Sequence, residues 1–264
     1  MKKILQIAFW MIIFAGIMVI FGFAVAEQKK VTCTGLEIKL NGAEKPGFID
    51  VQDIRRIILQ LYNPIEGRIL DSINTELIAR ELNRNPYLKD VSIIKTLSGL
   101  IKLELSRTEA IVRVVNTRGD AFYLSTEGYV MPISLKYIPK TLIVTGFITD
   151  IPDPYAKIKY NLTDGNAHDK SVLPKIHLVA GKLANHLVFN RSIEQVYVTN
   201  RGEFEMIPAS GNHIILLGDA DNLDHKLENL LAFYQAGMPK LKEEDYKIVD
   251  LKYKDQVVCK KTMQ

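Results

Sequence analysis

An uncharged apolar segment begins at Ile4 and ends at Ala26, interrupted only by Gln6. The hydrocarbon core of a bilayer is about 30 Å thick, and about 20 helical residues cross it at a rise of about 1.5 Å each. The segment is therefore long enough to span a membrane. We predict a cytoplasmic head over residues 1–3 and a transmembrane helix over residues 4–26.

A cleaved signal peptide is the alternative interpretation of this segment. Ala24-Val25-Ala26 has the small-x-small form of a cleavage site. The apolar run is longer than the roughly 7–15 residues of a signal-peptide core, which favours an uncleaved anchor. Because the head is so short and the body behind it so large, we expect the N-terminus inside and the rest of the chain outside.

The charge balance gives no support to nucleic-acid binding. The chain of 264 residues carries 34 Lys and Arg against 30 Asp and Glu, and Lys2 and Lys3 supply half of the excess. Nucleic-acid-binding domains concentrate basic residues on one surface, and no such run is present. With 47% hydrophobic residues, the sequence is sufficient for one or two domains with ordinary cores.

The chain after the apolar segment begins with the pattern of a βααββ unit over residues 31–107. Alternating apolar residues from Leu36 to Leu40 predict a half-buried strand. Asp50 and Asn74 precede two segments with helical apolar spacing and are good N-cap residues, and Pro86 ends the second segment. Two alternating segments then predict a hairpin that completes the unit.

From Glu109 onward, short strand patterns separated by turn residues dominate. Helices are predicted from Leu173 to about Leu187 and again after Asp221. The predicted strands are Ile111–Val115, Ala121–Ser125, Tyr129–Pro132, Leu142–Thr145, Ile193–Val198, Glu203–Ile207, His213–Leu217 and Lys247–Val258. The fold class is therefore α+β: a transmembrane helix, a βααββ domain over residues 31–108, and a mainly antiparallel β domain with flanking helices over residues 109–264.

No motif in the sequence indicates catalysis, a cofactor or a metal ion. P-loop, Rossmann, Gly-x-Ser-x-Gly and HExxH signatures are missing, and Gly218–Asp224 lacks the ligands of a calcium loop. Cys33 and Cys259 lie near opposite ends of the exported part, and the sequence leaves open whether they form a disulfide. The histidines have no metal-ligand spacing and are expected to be surface or capping residues; they are His168, His177, His186, His213 and His225.

The last predicted strand, Lys247 to Val258, offers a binding hypothesis instead. A sheet edge presents unpaired N–H and C=O groups that a strand of another chain can complete. Lys252, Lys254 and Asp255 would restrict such pairing to a chosen partner. The alternative is an interior strand whose charges lie on its wet face.

The order of these elements, with the segments NPYLKDVSI, GLIKLELSRTEAIVRV and GDAFYLSTEGYVMPIS, resembles the FtsQ/DivIB family of bacterial cell-division proteins. The later blocks IEQVYV, EFEMIP, IILLGD, LENLLAFYQAG and YKIVDLKYKDQVV also fit. The resemblance covers nearly the whole chain. It implies a POTRA domain followed by a β domain on the outer face of the cytoplasmic membrane at the division septum.

The resemblance also implies a non-enzymatic role without cofactor, metal or small-molecule substrate. Proteins of this kind bind FtsB and FtsL and help to control septal peptidoglycan synthesis by FtsW–FtsI, and further contacts of the POTRA domain with FtsK are expected. In the family, the last strands of the β domain take up FtsB by strand addition, and Tyr253 matches a contact tyrosine. The candidate partner-binding residues are Ile248, Asp250, Lys252, Tyr253, Lys254, Asp255, Gln256 and Val257.

Two other function classes are compatible with the sequence. An accessory protein of envelope biogenesis or secretion would share the βααββ unit, although such proteins usually carry several copies of it. A membrane-anchored exported enzyme would need a deep polar pocket with convergent acids or histidines.

Overall fold

The fold is that of a computed structural model, which describes residues 9–11, 13–19, 31–153, 155–156, 158–160, 171–237 and 246–261. The chain divides into two compact units, residues 1–107 and residues 108–264.

The predicted transmembrane segment falls in large part outside the described residues. The residues that it shares with them, 9–11 and 13–19, are helical. Of the residues that the structure describes, none form a helix long and apolar enough to cross a membrane. The span over residues 4–26 stays a prediction.

The first unit has the predicted βααββ arrangement. Its elements are β1 (Gly35–Asn41), α1 (Val51–Leu61), α2 (Thr75–Arg84), β2 (Leu88–Lys95) and β3 (Leu100–Arg107). The sheet has the order β1-β3-β2, in which β3 is parallel to β1 and antiparallel to β2. A short 3₁₀ turn, Leu70–Ser72, precedes α2.

The two helices of this unit begin at the predicted caps. The Asp50 carboxylate accepts the backbone N–H of Asp53 at 2.9 Å, and the Asp53 carboxylate accepts the N–H of Asp50 at 3.1 Å. The Asn74 side chain accepts the N–H of Leu77 at 3.0 Å. The second helix ends two residues before Pro86, because the residue ahead of a proline is forced out of helical space. These local signals confirm the predicted helix starts and the predicted helix stop.

The core of the first unit lies between the two helices and one face of the sheet. Apolar side chains of helix and strand interdigitate there, and each of them is at most 1% exposed: Ile54, Ile58, Ile78, Leu82, Ile101, Leu103 and Leu105. Cys33 is buried in the same core and is a free thiol.

The second unit contains a nine-stranded sheet. Its strands are β4 (Ala110–Val115), β5 (Ala121–Ser125), β6 (Val130–Pro132), β7 (Leu142–Gly146), β8 (Ile193–Val198), β9 (Phe204–Pro208), β10 (Ile214–Gly218), β11 (Tyr246–Asp250) and β12 (Val258–Lys261). Their order is β12-β11-β10-β9-β8-β7-β4-β5-β6. Three of the eight pairings are parallel, namely β4 with β7, β7 with β8 and β10 with β11, and the other five are antiparallel. The sheet is therefore mixed, with antiparallel pairs in the majority.

Helices cover one face of this sheet. They are α3 (Leu173–Asn185), the short α4 (Phe189–Ser192) and α5 (Leu223–Ala232), which continues into a π turn over Phe233–Gly237. Every second residue of the strands points towards these helices, and these residues form one core with the apolar side chains of α3 and α5. Along the opposite face, Ile143, Tyr197 and Ile214 are partly exposed.

The predicted long final strand is wrong. Tyr246–Asp250 and Val258–Lys261 are two antiparallel strands, and the chain between them turns at Lys254-Asp255. Asp255 adopts a left-handed backbone with φ 58°, a conformation that aspartate tolerates better than most residues do. The chain therefore reverses inside the segment that resembled one continuous strand.

Candidate protein-binding edge

The nine-stranded sheet ends at β12, and this strand has an open side. It pairs with β11 on one side, and no strand in the described part of the chain pairs with the other. In an antiparallel pair, alternate residues point both their N–H and their C=O away from the neighbouring strand. β12 thus presents backbone donors and acceptors that another strand can complete.

The opposite edge of the sheet, β6, is less suited to strand addition. All three of its residues are buried. Its last residue, Pro132, has no N–H to donate to a further strand. Of the two edges, β12 is therefore the better candidate for binding another chain.

The structure divides the eight candidate residues between two places. Ile248 and Asp250 lie in β11, an interior strand between β10 and β12. The other six, Lys252 to Val257, form the turn that leads into β12, and none of them is in a strand. The structure brings the whole set together in one hairpin but assigns the edge itself to Val258–Lys261.

The turn of this hairpin is anchored to the body of the second unit. The N–H of Leu251 donates to the Leu216 carbonyl oxygen at 2.9 Å, so β11 stays fixed to β10 beyond its last paired residue. The Asp250 carboxylate, 2% exposed, accepts the N–H of Lys252 at 3.1 Å. These bonds hold the start of the turn and thereby fix the direction in which β12 leaves it.

The far side of the turn is held by α5. His225 Nε2 lies 2.6 Å from Asp255 Oδ1, at the residue with the left-handed backbone. Lys252 Nζ lies 3.5 Å from the Glu203 carboxylate beside β9. The edge strand is thus presented by a hairpin that is bonded to β10, to α5 and to the residue before β9.

A surface groove of about 510 Å³ lies between this turn and α5. Lys226 Nζ donates to the Asp219 carboxylate at 2.5 Å and to the Asp219 carbonyl oxygen at 3.0 Å. The side-chain hydrogen bond from Lys226 is the main cause that lowers the pKa of Asp219. Tyr253 lines the same groove and is 49% exposed. The central charges of this groove, on Lys226 and Asp219, are thus paired to each other.

The described histidines have structural hydrogen bonds. His177 Nε2 lies 3.1 Å from the Thr126 carbonyl oxygen, and His186 Nδ1 accepts two backbone N–H groups at the start of α4. His213 Nε2 is 2.8 Å from the Tyr234 hydroxyl. Predicted His168 lies outside the described residues. Within the described ranges, no group of three or more His, Cys, Asp and Glu side chains could hold a metal ion.

The eight candidate residues end at Val257, one position before the strand that forms the edge. Cys259 is a half-buried free thiol in β12, and its burial raises the pKa of the thiol. Lys260 and Lys261 are exposed at the end of the same strand. The charged pair Lys254-Asp255 was the available signal for the turn, because a lysine–aspartate step is poorly suited to the middle of a strand.

Two family models match the chain over most of its length. One is described as "FtsQ/DivIB, C-terminal related" and matches residues 109–260, and the other, a POTRA-like domain, matches residues 31–106. The chain belongs to the FtsQ/DivIB family. Proteins of this family are non-catalytic cell-division proteins.

A curated relative agrees with this placement. The chain is similar to the "Cell division protein FtsQ" of Rhodothermus marinus (strain ATCC 43812 / DSM 4252 / R-10), with 24% identity over 202 residues. The matched region covers 74% of this chain and 68% of that protein.

Proposed function

We propose that this protein is a scaffold of the division machinery that captures FtsB- and FtsL-like proteins by adding their strand to β12. The observation that carries the proposal is the open edge of β12 on a hairpin anchored at Leu251 and Asp255. Backbone hydrogen bonds would supply affinity, and the side chains on the two faces of the strand would supply specificity. Family membership supports the division role.

We infer that the N-terminal segment anchors this scaffold in the bacterial cytoplasmic membrane, with the N-terminus inside and the chain from residue 31 onward outside. The described residues between 9 and 19 are helical, and they expose large apolar side chains such as Phe9, Trp10 and Phe14. Exposed apolar side chains on a helix are suited to contact with lipid, in agreement with the uncharged sequence from Ile4 to Ala26. Anchoring would keep the β12 edge next to partners that are themselves membrane proteins.

The proposal includes the wider set of partners expected for this family. The POTRA-like unit would contribute contacts near the membrane, including one with FtsK, and the assembled complex would regulate septal peptidoglycan synthesis by FtsW–FtsI. In this scheme, no part of the chain carries out chemistry, and the output is the position and state of its partners.

Proline substitutions at two neighbouring positions of β12 test the strand addition. The backbone N–H groups of adjacent residues point to opposite sides of a strand, and proline has no N–H. Of Cys259→Pro and Lys260→Pro, one therefore removes an N–H that bonds to β11, and the other removes an N–H that faces outward. We expect one variant to lose hairpin stability, and the other to keep its thermal stability but lose co-purification of the FtsB-like partner. Lys140→Ala, at an exposed position outside the hairpin, is the control and should keep the partner.

The decisive outcome concerns the variant that stays folded. If both proline variants keep their stability and still co-purify the partner at the wild-type level, strand addition at β12 is wrong. A fluorescent fusion of the full chain checks the division role separately. A midcell band supports it, whereas a uniform envelope signal would favour the biogenesis or secretion alternative.

A further inference from the structure

The hairpin that ends the second unit carries an excess of positive charge. Residues 246–261 contain five lysines and two aspartates. Asp250 is buried against the turn, and Asp255 is paired with His225. The Asp250 carboxylate is therefore directed inward, and the Asp255 carboxylate is 65% exposed but paired, while the lysines at the strand end face solvent.

Two of these lysines belong to the edge strand itself. Lys260 and Lys261 are exposed, and neither forms an ion pair with a carboxylate of the described part of the chain. Lys261 Nζ lies 5.5 Å from the centre of the Tyr246 ring, on the strand opposite. This contact holds the ammonium group beside the strand without neutralising its charge.

The two faces of β12 differ in chemistry. Cys259 pairs with the buried Val249, and together with Val257 it packs against the core that the helices cover. Lys260 pairs with Ile248 and so lies on the open face of the sheet. A strand added to β12 would therefore meet apolar surface on the helix side and a lysine on the open side.

We propose that the segment captured by β12 is an extended acidic strand of another protein, with apolar side chains next to Cys259 and acidic side chains next to Lys260. This inference rests on the proposed strand addition and specifies the partner's chemistry. Opposite charges on adjacent strands stabilise pairing and like charges oppose it. The same lysines that protect a bare edge from promiscuous pairing thereby select the partner.

Blocked hexapeptides with alternating side chains test the inference on the full-length chain. The probes are acetylated and amidated peptides of alternating valine and glutamate, valine and lysine, and valine and glutamine. Titration followed by the amide NMR signals of β12 measures dissociation constants up to the millimolar range. We expect the glutamate peptide to bind more tightly than the glutamine peptide by about two- to fivefold for each lysine engaged, and the lysine peptide to bind weakest.

Matched charge reversals identify the lysine responsible. Lys260→Glu and Lys254→Glu change the net charge equally, but only the first lies in the strand. We expect Lys260→Glu to remove or invert the preference for the glutamate peptide and Lys254→Glu to leave most of it intact. The preference should also shrink as ionic strength rises, because both groups are exposed.

Each outcome decides between the inference and the function on which it rests. In one outcome, all three peptides bind equally and lose binding in the proline variant of β12 that lacks the outward N–H. That outcome overturns the inference that the partner strand is acidic but keeps strand addition. Equal effects of Lys260→Glu and Lys254→Glu overturn the assignment to the edge strand, since they would reflect net charge alone. Binding of no peptide, together with proline variants that still capture the partner, overturns the proposed strand addition itself.

Discussion

Truncating one valine in each strand of the terminal hairpin tests whether β11 is interior and β12 is the edge. Val249 is 0% exposed and lies between β10 and β12, whereas Val258 is half-buried in the edge strand. Val249→Ala removes two carbons from a packed core, at about 0.8 kcal/mol each. Incomplete collapse around the space left behind raises the expected loss to about 2–3 kcal/mol. The space left by Val258→Ala is open to solvent, so this substitution should lower the free energy of unfolding by less than about 1 kcal/mol.

Amide hydrogen exchange is the suitable assay, because a chain of two compact units does not unfold in one transition. For amides of β10 and β11 that exchange through unfolding of the second unit, a loss of about 2–3 kcal/mol speeds exchange roughly 30- to 150-fold. The Val258→Ala variant should change the same amides less than about fivefold. Equal effects of the two substitutions would refute the reasoning, because they would mean that β11 is no more buried than β12.

Two further predictions concern polar groups of the second unit. Asn116→Ala should destabilise the second unit by about 2–3 kcal/mol in hydrogen-exchange measurements, because the side-chain oxygen accepts two backbone N–H groups of a turn and the amide donates to the Asp150 carbonyl oxygen at 3.1 Å. Asn116→Asp keeps the two acceptor bonds but should destabilise the unit as well, because it replaces the amide nitrogen, 3.2 Å from the Asp120 carboxylate, with a carboxylate oxygen. Lys226→Met should raise the pKa of Asp219 towards its ordinary value of 3.8 in an NMR titration. The native pair contributes stability that is present above about pH 3.8 and is lost as the pH falls through the lowered pKa of Asp219; an unchanged titration in the variant would show that another group causes the shift.

The first unit could be predicted closely because its signals are local. Asp50 and Asn74 act within three residues of themselves, and Pro86 restricts only the residue before it. The apolar spacing of each helix then identifies the face that packs on the sheet, where Ile54 and Leu82 are fully buried. None of these inferences needs knowledge of distant contacts.

The edge could not be predicted in the same way because distant contacts decide it. The segment from Lys247 to Val258 is rich in strand-forming residues, so its local pattern favours one continuous strand. The turn depends on the bond from Leu251 to Leu216 and on the contact of Asp255 with His225, which lie 35 and 30 positions away in sequence. Strand order is equally non-local, since β11 pairs in parallel with β10 only after the chain has crossed through α5.

The shortness of β12 has a consequence for how the proposed scaffold would work. In a strand of four residues, about two residues direct their N–H and C=O groups to the open side. These groups can form about four backbone hydrogen bonds with an added strand. At about 1 kcal/mol each, these correspond to a dissociation constant near the millimolar range. Such an edge is too weak to capture a freely diffusing segment, and this weakness protects it from indiscriminate pairing. When both proteins are anchored in the same membrane, the effective concentration of the segment reaches the millimolar range. The weak β12 edge would therefore bind its partner only in combination with the proposed N-terminal anchor.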